Sequence, residues 1–402
     1  MSLRGSLPFC VALCGAVGAP ALAAQRSITR AQAVEAALAR GARAAFGRAD
    51  LAAATGALHG ARLYPNPTLG ATYTKDVPHY HVIADLALEL PWIRAARIDA
   101  AASARDAVHY GVAFERAAIH FDIDTAYTRA LAAAARARLS RRNALAADSL
   151  RNMAQLRREV GDVSELDVHL AAVNAGQIEN AAADDSVAAV EALLAVQLAM
   201  GLPGDEVSIA LADSLAPPPA EGGTAPAAVP LPVAAATANL RSAERTLALA
   251  HRSVFAASSL QLGVERGDPA GPRENLPTIG VSLPIPLFNW NGGEVAQAAA
   301  ARDRAQTNLD LVQRETAAEL ARARRGLALA VARLERDRLL LASADRVAAL
   351  SLQAYAEGAV ALASVLEAQR NARDALGRYI DDVAAANNAA GAVRLLTATE
   401  PS

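Results

Sequence analysis

Four short segments of the chain alternate apolar and polar residues with a period of two. In "TLGATYTK" (68–75), Leu69, Ala71 and Tyr73 share one face, and Thr68, Thr72 and Thr74 share the other. In "HVIADLALEL" (81–90), Val82, Ala84, Leu86, Leu88 and Leu90 oppose His81, Asp85 and Glu89. In "SLQLGVERG" (259–267), Leu260, Leu262 and Val264 oppose Gln261 and Glu265, and "PTIGVSLPI" (277–285) completes a second pair. This is strand patterning with one apolar and one polar face. It fits a half-buried hairpin, and it also fits membrane barrel strands of about 9–11 residues. Four strands cannot close a barrel, since the smallest bacterial ones have about eight, so the membrane reading requires chains that pool their strands.

Between the strands the pattern turns helical and rich in alanine. Segments 94–160 and 293–357 predict two very long helices, each about 100 Å at 1.5 Å per residue. Returning helices at 163–201 and 360–396 reach about 55–60 Å, and helices at 28–62 and 233–257 add about 40–50 Å each. One short helix stacked on another matches one long helix. The chain then makes four parallel columns with both strand pairs at one end, which is the shape of a tube wall.

The halves are copies. "GDVSELDVHLAAVNA" from Gly161 matches "GAVALASVLEAQRNA" from Gly358, 197 residues later. "LELP" ending at Pro91 matches "VSLP" ending at Pro284, and four extra residues fall in the turn "PLFNWNGG". The first repeat covers 25–201 and the second 233–397, with a short tail at 398–402. The join, 202–232, is too rich in proline for a continuous helix.

Composition adds exclusions. Net charge is −2 over 402 residues, which gives no footprint for nucleic acid. Aromatics are only 4%, in keeping with thin helix seams rather than a large core. Residues 1–24 read as an export signal: Arg4, the apolar "LPFCVALCGAVGAPALA", and the small-residue cleavage pattern Ala21-Leu22-Ala23. Both cysteines, Cys10 and Cys14, fall in that signal, so the mature chain is expected to have no disulfide, thiol chemistry or lipid anchor. Beyond it no run of about 18 apolar residues occurs, so any membrane crossing is not helical.

Catalytic patterns are not found: there is no P-loop, HExxH, CxxC or GxSxG. His79 and His81 flank Tyr80 between the first two strands, a weak metal signal. His109, His120 and His169 fall on helices as packing or surface residues. No cofactor is expected, and the chain does not read as an enzyme.

The segments "LYPNPTLG", "VSLPIPLFNWNGGEVAQAAAARDRA", "VGDVSELDV" and "YAEGAVALASVLEAQRNARDALGRYI" together resemble the TolC-type outer membrane efflux proteins of Gram-negative bacteria. The resemblance spans the mature chain and leans toward the cation-efflux (CzcC-like) branch. One departure is "ARGARAAF" around Gly41, where the family usually carries Asn-Pro in its first helix.

The resemblance implies a mainly α fold with a membrane β-barrel part. Three chains would give a 12-stranded barrel in outer membrane lipid and a helical tunnel in the periplasm. It implies a homotrimer that passively exports small molecules or metal cations. These would be delivered by an inner membrane efflux pump, such as one of the RND class, through a periplasmic adaptor protein. Pro91, Pro284, Pro286, Asn291, Gly292 and Gly293 would then turn strands into helices. The tips Val160, Gly161, Asp162, Val163 and Glu357, Gly358, Ala359, Val360 would meet the adaptor. Asp167 and Glu367, with Glu165 nearby, match the family's acidic ring at the periplasmic gate, while Ser364 takes one ring position. The competing reading is a periplasmic helical adaptor or scaffold without a channel.

Overall fold

The computed structural model describes residues 25–219, 229–256, 258–267 and 275–399. The export signal, both cysteines, part of the 202–232 join and residues 400–402 lie outside it. A three-residue strand, β1 (Arg26–Ile28), opens the chain, followed by α1 (Arg30–Arg40) and α2 (Ala42–Arg62). A hairpin, β2 (Thr68–Tyr73) and β3 (Tyr80–Ala87), leads to the 69-residue α3 (Pro91–Glu159) and the returning α4 (Glu165–Ala199). The second half runs β4 (Ile209–Leu211), α5 (Leu231–Arg252), β5 (Ser259–Arg266), β6 (Asn275–Ser282), the 65-residue α6 (Gly292–Ala356) and α7 (Leu362–Thr397).

The four long strands form one antiparallel sheet in the order β2-β3-β5-β6. The helices repeat that order beneath it. In the upper half α2 packs on α3, α3 on α5, and α5 on α6. In the lower half α4 packs on α3, α3 on α7, and α7 on α6. The protomer is therefore a single curtain of columns. One edge is β2, α2 and α4; the other is β6 and α6. Both edges expose large apolar side chains, among them Val173, Val187 and Leu198 on α4 and Leu329, Leu339 and Leu340 on α6.

The largest core sits at mid-height, where Ile28, Val34, Ile119, Ile123, Tyr127, Val196 and Ile209 cluster. Here the parallel pair β1–β4 is fastened to α3: the Tyr127 hydroxyl donates to the Ile28 carbonyl at 2.8 Å. Burial pushes that phenol up to about 12, so it remains a donor at any physiological pH. Gln197, 1% exposed, closes the turn after α4 by donating to the Glu206 carbonyl at 2.7 Å and accepting from Ser208 N–H at 2.9 Å.

Two sequence expectations change. The predicted helix 28–62 is two helices, because Gly41 takes an extended backbone and is both the last cap of α1 and the first of α2. A break at this point survives without Asn-Pro. Arg48 secures it by donating to the Leu38 and Ala39 carbonyls at 2.9 and 3.1 Å, which α1 leaves unpaired. A Cβ on Gly41 would lie 2.4 Å from the Ala37 carbonyl oxygen, and one on Gly201 would lie 3.0 Å from that of Arg40. Gly41→Ala is thus expected to cost about 1–3 kcal/mol, read as a lowered urea midpoint. An unchanged midpoint would show that the break relaxes freely. The pair β1–β4 is the second change: three-residue strands carry no period to detect.

Candidate functional site: strand faces and helix tips

The strand register sorts the sheet into two chemically distinct faces. Rows such as Leu69–Ala84–Leu262–Ile279 and Ala71–Val82–Val264–Pro277 make one face apolar. Leu69 and Ile279 are three-quarters exposed on it, far more apolar surface than a solvated sheet presents. Rows Thr72–His81–Glu265–Leu276 and Thr68–Asp85–Gln261–Gly280 make the other face largely polar. At the loop end the apolar face carries Tyr73 and Tyr80, with ring centroids 5.3 Å apart. At the helix end Trp92, Phe288 and Trp290 are exposed. Two aromatic tiers therefore bracket the apolar band.

His81 sits on the polar face, its Nδ1 3.3 Å from a Glu265 oxygen and its Nε2 3.2 Å from the Thr74 hydroxyl. His79 Nδ1 lies 3.2 Å from the Thr74 carbonyl. Among the described residues no group of three His, Cys, Asp or Glu could hold a metal ion, and no helix is long and apolar enough to cross a membrane.

At the junctions, Pro91 is the first residue of α3, where its missing N–H costs nothing. The β6 ladder ends at Ser282, so Pro284 and Pro286 lie in the irregular segment beyond it. The turn into α6 is made by Asn291 in the left-handed conformation (φ 63°), and not by Gly292 or Gly293, around which an added Cβ would meet nothing. The Asn291 amide donates to the Ala250 carbonyl and the Ser253 hydroxyl, both at 2.9 Å, which ties the start of α6 to the end of α5.

The two lower tips share one geometry. Gly161 (φ 85°) and Gly358 (φ 76°) are both left-handed. Asp162 N–H returns to the Arg157 carbonyl at 2.9 Å and Ala359 N–H to that of Ala354 at 2.8 Å, the same helix-ending motif twice. Val160, Gly161 and Asp162 are exposed, as are Glu357, Gly358 and Ala359, while Val163 and Val360 are half-buried. Val360 packs on a cluster of Leu150, Ala154, Ala171, Tyr355, Leu362 and Val365 that joins the tips.

The three predicted gate acids sit in different local settings within one chain. Asp167 is the third residue of α4 and closes a capping box, accepting from the Ser164 N–H and hydroxyl at 3.2 and 2.9 Å. Glu165 is exposed and lies 3.7 Å from His169. Glu367 is on α7, exposed along a groove between α4 and α7. The residue that sequence reasoning missed is Arg157. Its Nη1 donates to the Tyr355 carbonyl at 2.7 Å, and its guanidinium lies 4.8 Å from the Tyr355 ring centroid. Burial is the main cause that raises the Tyr355 phenol, Arg157 opposes the rise, and Asp167 adds to it. The one sequence signal was a Tyr three residues before the second tip glycine.

No family model matches the chain, and no curated protein matches it. Solved structures do. A membrane protein from Pseudomonas aeruginosa superposes with a TM-score of 0.78 at 16% identity, covering 92% of this chain and 93% of that one. The outer membrane protein VceC from Vibrio cholerae gives 0.75 at 15% identity, covering 92% and 95%. The Campylobacter jejuni CmeC outer membrane channel gives 0.78 at 14%, covering 92% and 85%. Each likeness covers 92% of the chain, which therefore has the TolC-like fold shared by these membrane proteins.

Proposed function

We propose that this protein is the outer membrane duct of a tripartite export system, working as a homotrimer in the outer membrane of a Gram-negative bacterium. The observation that carries the reading is the two-faced sheet with two unpaired edges. Strand edges and an exposed apolar band are liabilities in water. Three copies placed edge to edge remove both: β6 of one pairs with β2 of the next, and α6 packs against the neighbour's α2 and α4. The apolar face with its two aromatic tiers then meets lipid, and the polar face lines a lumen. Pro91 and the segment from Pro284 to Gly293 turn the barrel into the helical tunnel.

The duct has no energy source of its own, so an inner membrane pump drives transport and a periplasmic adaptor connects the two. The tips, Val160 to Val163 and Glu357 to Val360, are the surfaces assigned to the adaptor. Glu165, Asp167 and Glu367 would surround the entrance as threefold sets and favour cations there. Asp167 would do so in addition to capping α4. Small molecules and metal cations are both within the reach of such a duct.

A soluble scaffold has the long helices but no use for the four-stranded sheet. Planar-bilayer recording of the purified mature protein, with mass photometry of the same sample, separates the two. The expected result is a trimer giving discrete cation-selective steps. A soluble species without conductance would establish the scaffold instead.

A further inference from the structure

The two lower edges of the curtain carry opposite charges. α4 contains six acidic residues and no arginine or lysine. On α6, the stretch from Arg322 to Arg346 has seven arginines against three acids. The contrast persists on the faces turned away from the rest of the chain. Ala175 of α4 is buried against Ala147 of α3, and at about 100° per residue Asp184 and Glu191 stand on the opposite side of α4. Leu334 of α6 is buried with Val383 and Ala386 of α7, and Arg325 and Arg336 stand on the opposite side of α6. All four charged residues are exposed, and none makes a hydrogen bond or ion pair among the described residues.

The edges also match in height. α4 climbs from Gly161 and α6 descends to Gly358, and the cluster around Tyr355 and Val365 joins the two tips at one level. Residues equally far from their tip glycine therefore lie at one height. Leu170 and Leu350 are nine and eight residues from their glycines, Val173 and Val347 twelve and eleven, and Val190 and Leu329 twenty-nine each. These six apolar side chains are 41–66% exposed. Asp184 and Arg336 lie 23 and 22 residues from the same glycines, roughly 33–35 Å up the wall. Glu191 and Arg325 lie 30 and 33 residues away, less than one helical turn apart in height. A symmetry axis along the columns carries a neighbour sideways without changing its height, so α6 of one copy meets α4 of the next in this register.

We propose that the lower seam is keyed by charge: Asp184 pairs with Arg336, and Glu191 with Arg325, of an adjoining copy of this chain, with the matched apolar levels packed around them. The inference rests on the edge-to-edge arrangement proposed above and adds what selects it. Identical chains can also join by like edges, as a closed two-fold dimer. Here α4 against α4 would oppose acids to acids, and α6 against α6 would oppose arginines to arginines. Exposed unlike pairs add little, whereas like charges pressed together are costly. The charges therefore act chiefly against the wrong pairings and leave head-to-tail closure.

Charge reversal tests this. Asp184→Arg with Glu191→Arg makes both edges basic, and Arg325→Glu with Arg336→Glu makes both acidic. Each double variant is expected to lower the trimer fraction of the detergent-purified mature protein about tenfold or more, read by mass photometry. All four changes together make the edges opposite again and should restore the trimer to within about twofold of the parent. The four residues are exposed and unpaired within the chain, so the variants should keep the parent's helical circular dichroism. Register is read separately, in a mature chain that has no other cysteine once the signal bearing Cys10 and Cys14 is removed. A short bismaleimide should join Asp184→Cys/Arg336→Cys chains into a covalent trimer, and should leave Asp184→Cys/Arg346→Cys chains, offset by about 15 Å, as monomers on a denaturing gel. A trimer indifferent to both reversals, or one that the fourfold variant fails to restore, overturns the keyed seam and leaves the duct standing. A monomeric parent removes the edge-to-edge arrangement itself, and the key with it.

Discussion

Ile279→Arg is expected to abolish insertion into membranes, whereas Thr278→Arg, one residue earlier on the same strand, is expected to be tolerated. The two positions differ in face and in little else. Ile279 stands opposite Leu262 in the apolar row and is 77% exposed. Thr278 stands opposite Gly263, in the row that shares the polar face with Asp85 and Glu265. An arginine on the lipid side of a barrel costs about 2–4 kcal/mol at the bilayer midplane. A trimer carries three copies, so the total approaches the stability of an ordinary domain. On the lumen side the same arginine remains hydrated, with Gly263 leaving room beneath it. Membrane fractionation and insertion into liposomes read the difference. If both variants insert equally, the sheet does not face lipid and the membrane assignment fails.

That contrast also shows which features a sequence can carry. The four strands were legible because a period of two writes both faces into the residue order. The long helices were legible because alanine-rich runs are interrupted only at Gly161 and Gly358, where the left-handed backbone stops them. The break at Gly41 was not, because its cause lies elsewhere in the chain: Arg48 reaches back to cap α1, and Gly201 lets the end of α4 approach Arg40. The turn into α6 was legible as Asn291-Gly292-Gly293, but not which of the three is left-handed: Asn291 is, with its amide fixed by α5. Asp167 is instructive in another way. Its repeat partner is Ser364, and the structure explains the difference locally: α4 has a Ser164–Asp167 capping box, and α7 begins at Ala361 with no side-chain cap.

Arg157→Ala is expected to raise the fraction of time that the duct stands open by about one order of magnitude or more. Arg157 is the polar bond that fastens the tip of α3 to the tip of α6. It donates to the Tyr355 carbonyl, lies over the Tyr355 ring, and stands 3.9 Å from Asp162 on the turn itself. A hydrogen bond from a charged donor contributes about 1.5–3 kcal/mol, and a partly desolvated cation–π contact about 0.5–2 kcal/mol. These terms overlap, so about 2 kcal/mol per chain is a fair working figure, or roughly thirtyfold in a two-state balance if the bond exists only in the closed form. The apolar cluster around Leu150 and Val365 stays in place, so the tips should loosen without unfolding. Arg157→Lys keeps the charge but loses the planar fork and should fall between wild type and Arg157→Ala. Tyr355→Phe keeps the ring and the carbonyl and should stay near wild type, whereas Tyr355→Ala removes a side chain only 2% exposed and should open the tips further while lowering stability. Single-channel recording ranks the variants. An Arg157→Ala channel with wild-type open probability would show that the tips are held by the apolar cluster alone, with no latch at Arg157.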